Sequence, residues 1–164
     1  MDTTPLGRTG ESVSELCLGP MYFGSRVDRE TSFELLDRYY EAGGRFLDTA
    51  NIYATWVDGH EEPESEPLLG EWLDERGVRD ELTIATKLGF GYGDVPVSLD
   101  PDLIAQEIDR SLDRMGIGTI DLLYAHVDDP ETPQSDVMAA FAEAVDAGKV
   151  RHLGASNFPA WRVA

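Results

Sequence analysis

Phe46-Leu47-Asp48-Thr49-Ala50-Asn51-Ile52-Tyr53 is the stretch whose reading decides the fold. Phe46 and Leu47 make a short buried strand. An acid, Asp48, stands where the chain leaves the sheet, and a phenol, Tyr53, follows five residues later in the next loop. Two other strand-like runs end in the same manner. Leu82-Thr83-Ile84-Ala85-Thr86 runs into Lys87, and Ile120-Asp121-Leu122-Leu123-Tyr124-Ala125 runs into His126. An acid, a phenol, an ammonium and an imidazole therefore fall just past the carboxyl ends of three successive strands. In parallel α/β sheets and barrels those ends are where reacting groups gather. The pattern reads as a catalytic constellation that the rest of the chain assembles.

Outward from this stretch, strands and helices alternate. Turn residues in Thr4–Gly10 predict a small N-terminal hairpin, and Glu15–Met21 predicts a first buried strand. A helix begins near Arg29 behind the cap Asp28, buries Phe33, Leu36 and Tyr40, and ends at Gly43-Gly44. A second starts near Ser65, buries Leu68, Leu69, Trp72 and Leu73, and stops at Gly77. Asp100-Pro101, a cap followed by a first-turn proline, opens a third with Ile104, Ile108, Leu112 and Met115 on its apolar face. Thr132-Pro133 opens a fourth with Met138, Phe141 and Val145 on one side. A fifth strand, Val150–Ala155, leads into Ser156-Asn157, and Pro159 opens a further helix. Such alternation predicts a parallel sheet covered by helices in one domain spanning 1–164.

Composition narrows the partners. The 164 residues are 41% apolar, with a mean hydropathy of -0.30, and no apolar run approaches the roughly 20 residues of a membrane span. No basic-then-apolar leader opens the chain, and Cys17 is the lone cysteine, which leaves no internal disulfide. Both features suit a reducing cytoplasm. Asp and Glu number 32 against 13 Lys and Arg, a net charge of -19, which disfavours nucleic acid as a partner. The acids are scattered along helical segments and read as a solvated surface. With only two lysines, the composition resembles that of proteins from salt-accumulating halophiles. One of the two, Lys87, stands at a strand end.

Neither G-x-G-x-x-G after the first strand nor G-x-x-x-x-G-K-[ST] is present, so a nucleotide-binding open sheet is disfavoured. Gly89-Phe90-Gly91-Tyr92-Gly93 has the wrong spacing and reads as a mobile loop. Polar groups at several consecutive strand ends fit a (β/α)8 barrel of the TIM type, although a full barrel takes about 250 residues.

The motifs Gly44-Arg45-Phe46-Leu47-Asp48-Thr49-Ala50 with Tyr53, Ser65-Glu66 before Leu69-Gly70, Ala85-Thr86-Lys87, Asp121 with His126, and Gly154-Ala155-Ser156-Asn157-Phe158 occur in this order. With them the chain resembles the aldo-keto reductase superfamily, over the N-terminal half to two-thirds of its barrel. Leu18–Gly24 is similar to the bacterial and potassium-channel-subunit branches. The resemblance implies a (β/α)8 barrel truncated to about five strands and four complete helices, with a short N-terminal β-hairpin. It implies NAD(P)H-dependent reduction of a small-molecule aldehyde or ketone, with NADP(H) or NAD(H) as cofactor and no metal. Tyr53 would be the general acid, Lys87 its neighbour, Asp48 the partner of Lys87, and His126 the group that orients the carbonyl. Ser156 and Asn157 would hold the nicotinamide carboxamide. The missing part of the barrel would leave open strand edges, which favour self-association.

The chemistry is consistent on its own terms. A free phenol ionises near pH 10, and an adjacent ammonium favours the ionised form. A partly dry ammonium needs a carboxylate, and donors aimed at a carbonyl oxygen stabilise the charge it gains. Each residue also has a structural reading: Asp48 as a loop cap, Tyr53 as a loop aromatic, Lys87 as a snorkelling side chain, His126 as a core histidine, Ser156-Asn157 as a helix start. Trp56, in the lengthened loop Thr55–Pro63, either lines a substrate pocket or packs the loop down. Ala54 stands where the resembled family commonly has glycine. Two other functions remain open: a metal-assisted hydrolase using His126, Asp128 and Asp129 with Asp48, and a non-catalytic half-barrel binding module.

Overall fold

The structure, a computed structural model, describes residues 1–163. Strands β1 (Thr3–Pro5) and β2 (Ser12–Ser14) pair antiparallel as the expected hairpin. Helix α1 (Arg29–Glu41), strand β3 (Phe46–Asp48), helix α2 (Ser65–Arg76), strand β4 (Thr83–Leu88), helix α3 (Pro101–Met115), strand β5 (Ile120–Ala125), helix α4 (Gln134–Asp146), strand β6 (Val150–Ala155) and the short helix α5 (Ala160–Val163) follow. Strands β3 to β6 form one parallel sheet in sequential order, as consecutive β/α units of a barrel wall do. No helix among the described residues is long and apolar enough to cross a membrane.

The expected strand at Glu15–Met21 is reduced to a single bridge, Leu18 to Leu47. Leu18 N–H donates to the Phe46 carbonyl and Asp48 N–H to the Leu18 carbonyl, each at 3.0 Å. Pro20, two residues on, has no N–H with which to extend the ladder. That segment still occupies the place of a fifth strand.

Helix starts follow the capping chemistry. Asp28 accepts from Thr31 N–H at 2.8 Å, and Asp100 accepts from Asp102 and Leu103 N–H ahead of Pro101. Between sheet and helices lies the core, where Leu47, Ile84, Leu88 and Leu123 meet Leu36, Leu69, Trp72, Ile104, Ile108 and Met115. On α4 the buried stripe is Val137, Phe141 and Ala144, while Met138 is 52% exposed. A four-turn helix with apolar residues at 137, 138, 141, 144 and 145 supports two neighbouring stripes, and docking against β6 selects one.

Two polar staples tie the sheet, one at its amino end and one to the helices. At the amino end, Asp121 (2% exposed) accepts from Ile84 N–H and Arg79 at 2.8 Å and pairs with Arg151 at 3.0 Å, so one carboxylate ties β4, β5 and β6. On the helix side, Glu66, fully buried, accepts from the Thr86 hydroxyl at 2.6 Å and from Arg114 at 2.7 Å. That explains Ser65-Glu66 physically: Ser65 donates to the Pro20 carbonyl and bonds Thr49, while Glu66 joins α2 to β4 and α3.

Helices α2 and α3 cross at Gly70, where a Cβ would lie 2.7 Å from the Met115 backbone. Because backbone cannot rotate aside, Gly70→Ala must force the helices apart. Overpacking of this kind costs about 1–3 kcal/mol, and urea denaturation monitored by circular dichroism should show that loss.

Candidate active site

Side chains alternate between the two faces of a strand. Along β4, Ile84, Thr86 and Leu88 face the helices, which turns Ala85 and Lys87 to the other face. Along β5, Leu123 and Ala125 lie on the helix side, leaving Leu122, Tyr124 and then His126 opposite. Asp48 pairs in register with Ala85 and shares that inner face. The sequence placed Asp48 and Lys87 just beyond their strands, whereas both lie within them, Asp48 as the last residue of β3 and Lys87 as the penultimate one of β4. Parallel hydrogen bonding continues one residue further than the apolar run, since Thr49 N–H still donates to the Ala85 carbonyl and Asn51 N–H to that of Lys87.

Lys87 is 6% exposed, and its ammonium donates to the Tyr53 hydroxyl at 2.8 Å and the Thr49 carbonyl at 2.7 Å. It lies 2.9 Å from Asp48 Oδ1, an ion pair by distance without hydrogen-bond alignment. Tyr53 is 8% exposed and edge-on to the His126 imidazole, with ring centroids 6.2 Å apart. Acid, ammonium, phenol and imidazole thus meet in one cluster.

His126 is held neutral. Burial and then the Lys87 charge push its pKa down to about 4. Its Nδ1 is buried without a hydrogen-bond partner, and the Phe90 ring stands edge-on at 4.8 Å. An orphaned acceptor costs less than an orphaned N–H, so the proton belongs on Nε2, the nitrogen left open to the mouth. Asn157, in the left-handed region (φ 60°), donates from Nδ2 to the His126 carbonyl at 2.8 Å and to Ser156 Oγ at 3.2 Å. A carbonyl can only accept, which fixes the amide orientation. Asn157 Oδ1 and the Ser156 hydroxyl proton stay uncommitted beside His126, an acceptor and a donor that complement a primary carboxamide. The residues present therefore fit a nicotinamide.

The alternative of a metal-assisted hydrolase finds its carboxylates engaged elsewhere. Asp128 is held by Arg162 at 2.7 and 3.0 Å. Burial alone would raise the Asp129 carboxyl, but Leu99 N–H, the Thr132 and Ser98 hydroxyls and Glu131 N–H outweigh it and hold the pKa at about 2. Among the described residues no cluster of three or more His, Cys, Asp or Glu could hold a metal ion.

A second layer escaped sequence reasoning. Asn51, fully buried between Asp48 and Tyr53 in sequence, donates to Glu107 on α3 at 2.8 Å. Tyr92 donates to the same carboxylate oxygen at 2.8 Å and accepts from Arg114 at 3.0 Å. The loop read as mobile is thereby tied down: Tyr92 and Val95 exchange backbone hydrogen bonds, and a Cβ on Gly91 would meet the Val95 carbonyl at 2.6 Å. One signal was available, because Glu107 falls on the apolar stripe of α3, between Ile104 and Ile108. Ala54 keeps a positive φ of 82° although it is fully buried and not glycine, so the backbone directly after Tyr53 is strained.

Compared with known proteins, residues 15–164 match the model of the Aldo/keto reductase family. The chain is 42% identical to norsolorinic acid reductase stcV of Emericella nidulans over 170 residues, covering 94% of this chain and 42% of that protein. It is 37% identical to the uncharacterized oxidoreductase YrpG of Bacillus subtilis over 171 residues (99% and 51%). It is 34% identical to aryl-alcohol dehydrogenase [NADP(+)] of Phanerodontia chrysosporium over 173 residues (94% and 43%). The chain spans about half the length of the curated relatives it matches.

The depressed His126 pKa has two measurable consequences. Its imidazole C–H resonances should stay flat from pH 8 down to about 5, and Lys87→Met should move the titration upward by removing the repelling charge. The unfolded chain takes up this proton near pH 6.5 and the folded one near 4. The stability that His126 contributes therefore falls as pH drops through that window, which the difference in denaturation midpoints between wild type and His126→Gln at pH 7 and pH 4.5 will register.

Proposed function

Because the chain belongs to the aldo/keto reductase family, we propose that it is an oxidoreductase acting on aldehyde or ketone carbonyls with a nicotinamide nucleotide. The observation that carries this reading is the Lys87 ammonium, buried and 2.8 Å from the Tyr53 oxygen, beside a neutral His126. Ser156 and Asn157 would hold the carboxamide of the nucleotide. When bound, the reduced nicotinamide ring would supply the hydride.

The chain's own residues handle the oxygen. Tyr53 sits in reach of the carbonyl oxygen and gives it a proton as negative charge develops there. Lys87 then faces the phenolate left behind and stabilises it, while Asp48 pairs with the buried ammonium. Neutral His126 offers the carbonyl oxygen one N–H from Nε2, a donor that does not compete as an acid above about pH 5. Carbonyl oxygen, phenol and imidazole thus form a short relay on the inner face of the sheet. The relatives' printed names include an aryl-alcohol dehydrogenase with NADP(+), which supports NADPH and an aromatic aldehyde as the first pair to test.

Folded protein titrated with NADPH, and separately with NADH, should enhance nicotinamide fluorescence saturably, and aryl aldehydes should then oxidise the reduced nucleotide. Tyr53→Phe should keep nucleotide binding and lose about 10²–10⁴ in kcat/KM, the range typical of removing a general acid. Nucleotide binding with undiminished turnover in Tyr53→Phe would remove Tyr53 from the proton step. Absence of binding in a folded sample would leave a non-catalytic role.

A further inference from the structure

Among the described residues, every lysine and arginine except Arg8 and Arg26 lies within ion-pair distance of a carboxylate. With 32 acids available to 13 bases, an arginine left without one is the exception. Arg8 belongs to the hairpin turn at the amino end of the sheet. Arg26 is exposed at the opposite end, beside the candidate site.

Its position is built. The turn Tyr22–Val27 is closed by Val27 N–H donating to the Tyr22 carbonyl at 3.0 Å and Gly24 N–H to the Val27 carbonyl at 2.9 Å, over a buried Phe23. The Arg26 guanidinium lies 4.9 Å from the centre of the Tyr22 ring. Tyr22 is edge-on to Trp56 at 6.2 Å, and Trp56 is edge-on to Tyr53 at 5.9 Å. Trp56 is 44% exposed, so an indole stands open to solvent between the phenol that would give the proton and an unpaired cation.

We infer that Arg26, Tyr22 and Trp56 recognise the far end of an aromatic carbonyl substrate that carries an anionic group, a carboxylate or phenolate, with its carbonyl toward Tyr53. The inference rests on the reductase reading of that site. Edge and face contacts with Trp56 and Tyr22 suit a planar ring. A guanidinium fork pairs with a carboxylate in two parallel hydrogen bonds, and stacking on Tyr22 leaves that fork free. The surrounding protein bears a net charge of -19 and repels anions at long range, so an anionic substrate requires a local cation to dock.

The test uses 4-carboxybenzaldehyde and its neutral counterpart methyl 4-formylbenzoate. Dissociation constants come from quenching of tryptophan fluorescence, with and without NADP(+), and Trp56→Phe identifies the reporting indole. The wild-type chain should prefer the carboxylate, and Arg26→Gln should collapse the ratio of the two constants by about two- to fivefold, the scale of an exposed charge contact. Arg26→Lys should retain part of it, and 1 M salt should weaken it. An Arg26 that served only the turn would lower the melting temperature and leave the ratio untouched, overturning the inference, as would a wild-type chain with no preference. Selective binding without turnover of either aldehyde would sink the reductase reading alone. Tyr53-dependent turnover indifferent to Arg26 would sink this inference alone.

Discussion

A single ammonium sets the terms for this structure. Lys87 is 6% exposed, and a cation removed from water must be resolvated by the protein or it loses its charge. Its surroundings meet that demand from three directions: the Thr49 carbonyl, the Tyr53 hydroxyl and the Asp48 carboxylate. The first and third belong to the end of β3 and the second to the loop beyond it. The contacts that replace water around Lys87 therefore also hold the loop that carries Tyr53. The same charge acts outward on His126 and, with burial, keeps it neutral. One buried charge thus positions the phenol and helps to set the protonation state of the imidazole.

The loop between Asp48 and Tyr53 is held from behind as well. Asn51 reaches Glu107, which Tyr92 and Arg110 also engage, and Arg114 links Tyr92 to Glu66. This polar layer runs beneath the inner-face cluster and joins α2, α3 and the loop after β4. It opposes rearrangement, because removing Glu107 strips the buried Asn51 amide of its partner, and removing any other member takes a hydrogen bond from a buried carboxylate or from Tyr92. Ala54, strained and fully buried, is held in that conformation by such surroundings.

Much of this was legible in the chain. Caps at Asp28 and Asp100, apolar spacing on α1, α2 and α3, and runs of apolar and β-branched residues in β4, β5 and β6 all carry local signals. The inner-face cluster was legible because its members recur at strand ends, and strand ends are periodic. What escaped was of two kinds. The stripe on α4 was set by docking, since its apolar residues permit either of two faces. The Glu107 layer is assembled from residues far apart in sequence, and hydrogen bonds of that range leave no period. Glu15–Met21 looked like a strand because it is apolar, but one bridge and a proline decide otherwise.

The inner face is reached by parity. Asp48, Lys87 and His126 look inward because each stands an even number of steps from an inward neighbour on its own strand or on the register it shares. A one-residue deletion within β4 would turn Lys87 into the helix layer and bring Thr86 or Leu88 inward, even if every hydrogen bond of the ladder re-formed. Changes in the length of this sheet can thus be inherited only in pairs, whereas the loops that follow it are free to grow by single residues. Variation in what such a chain recognises is accordingly channelled into loops like the one that carries Trp56.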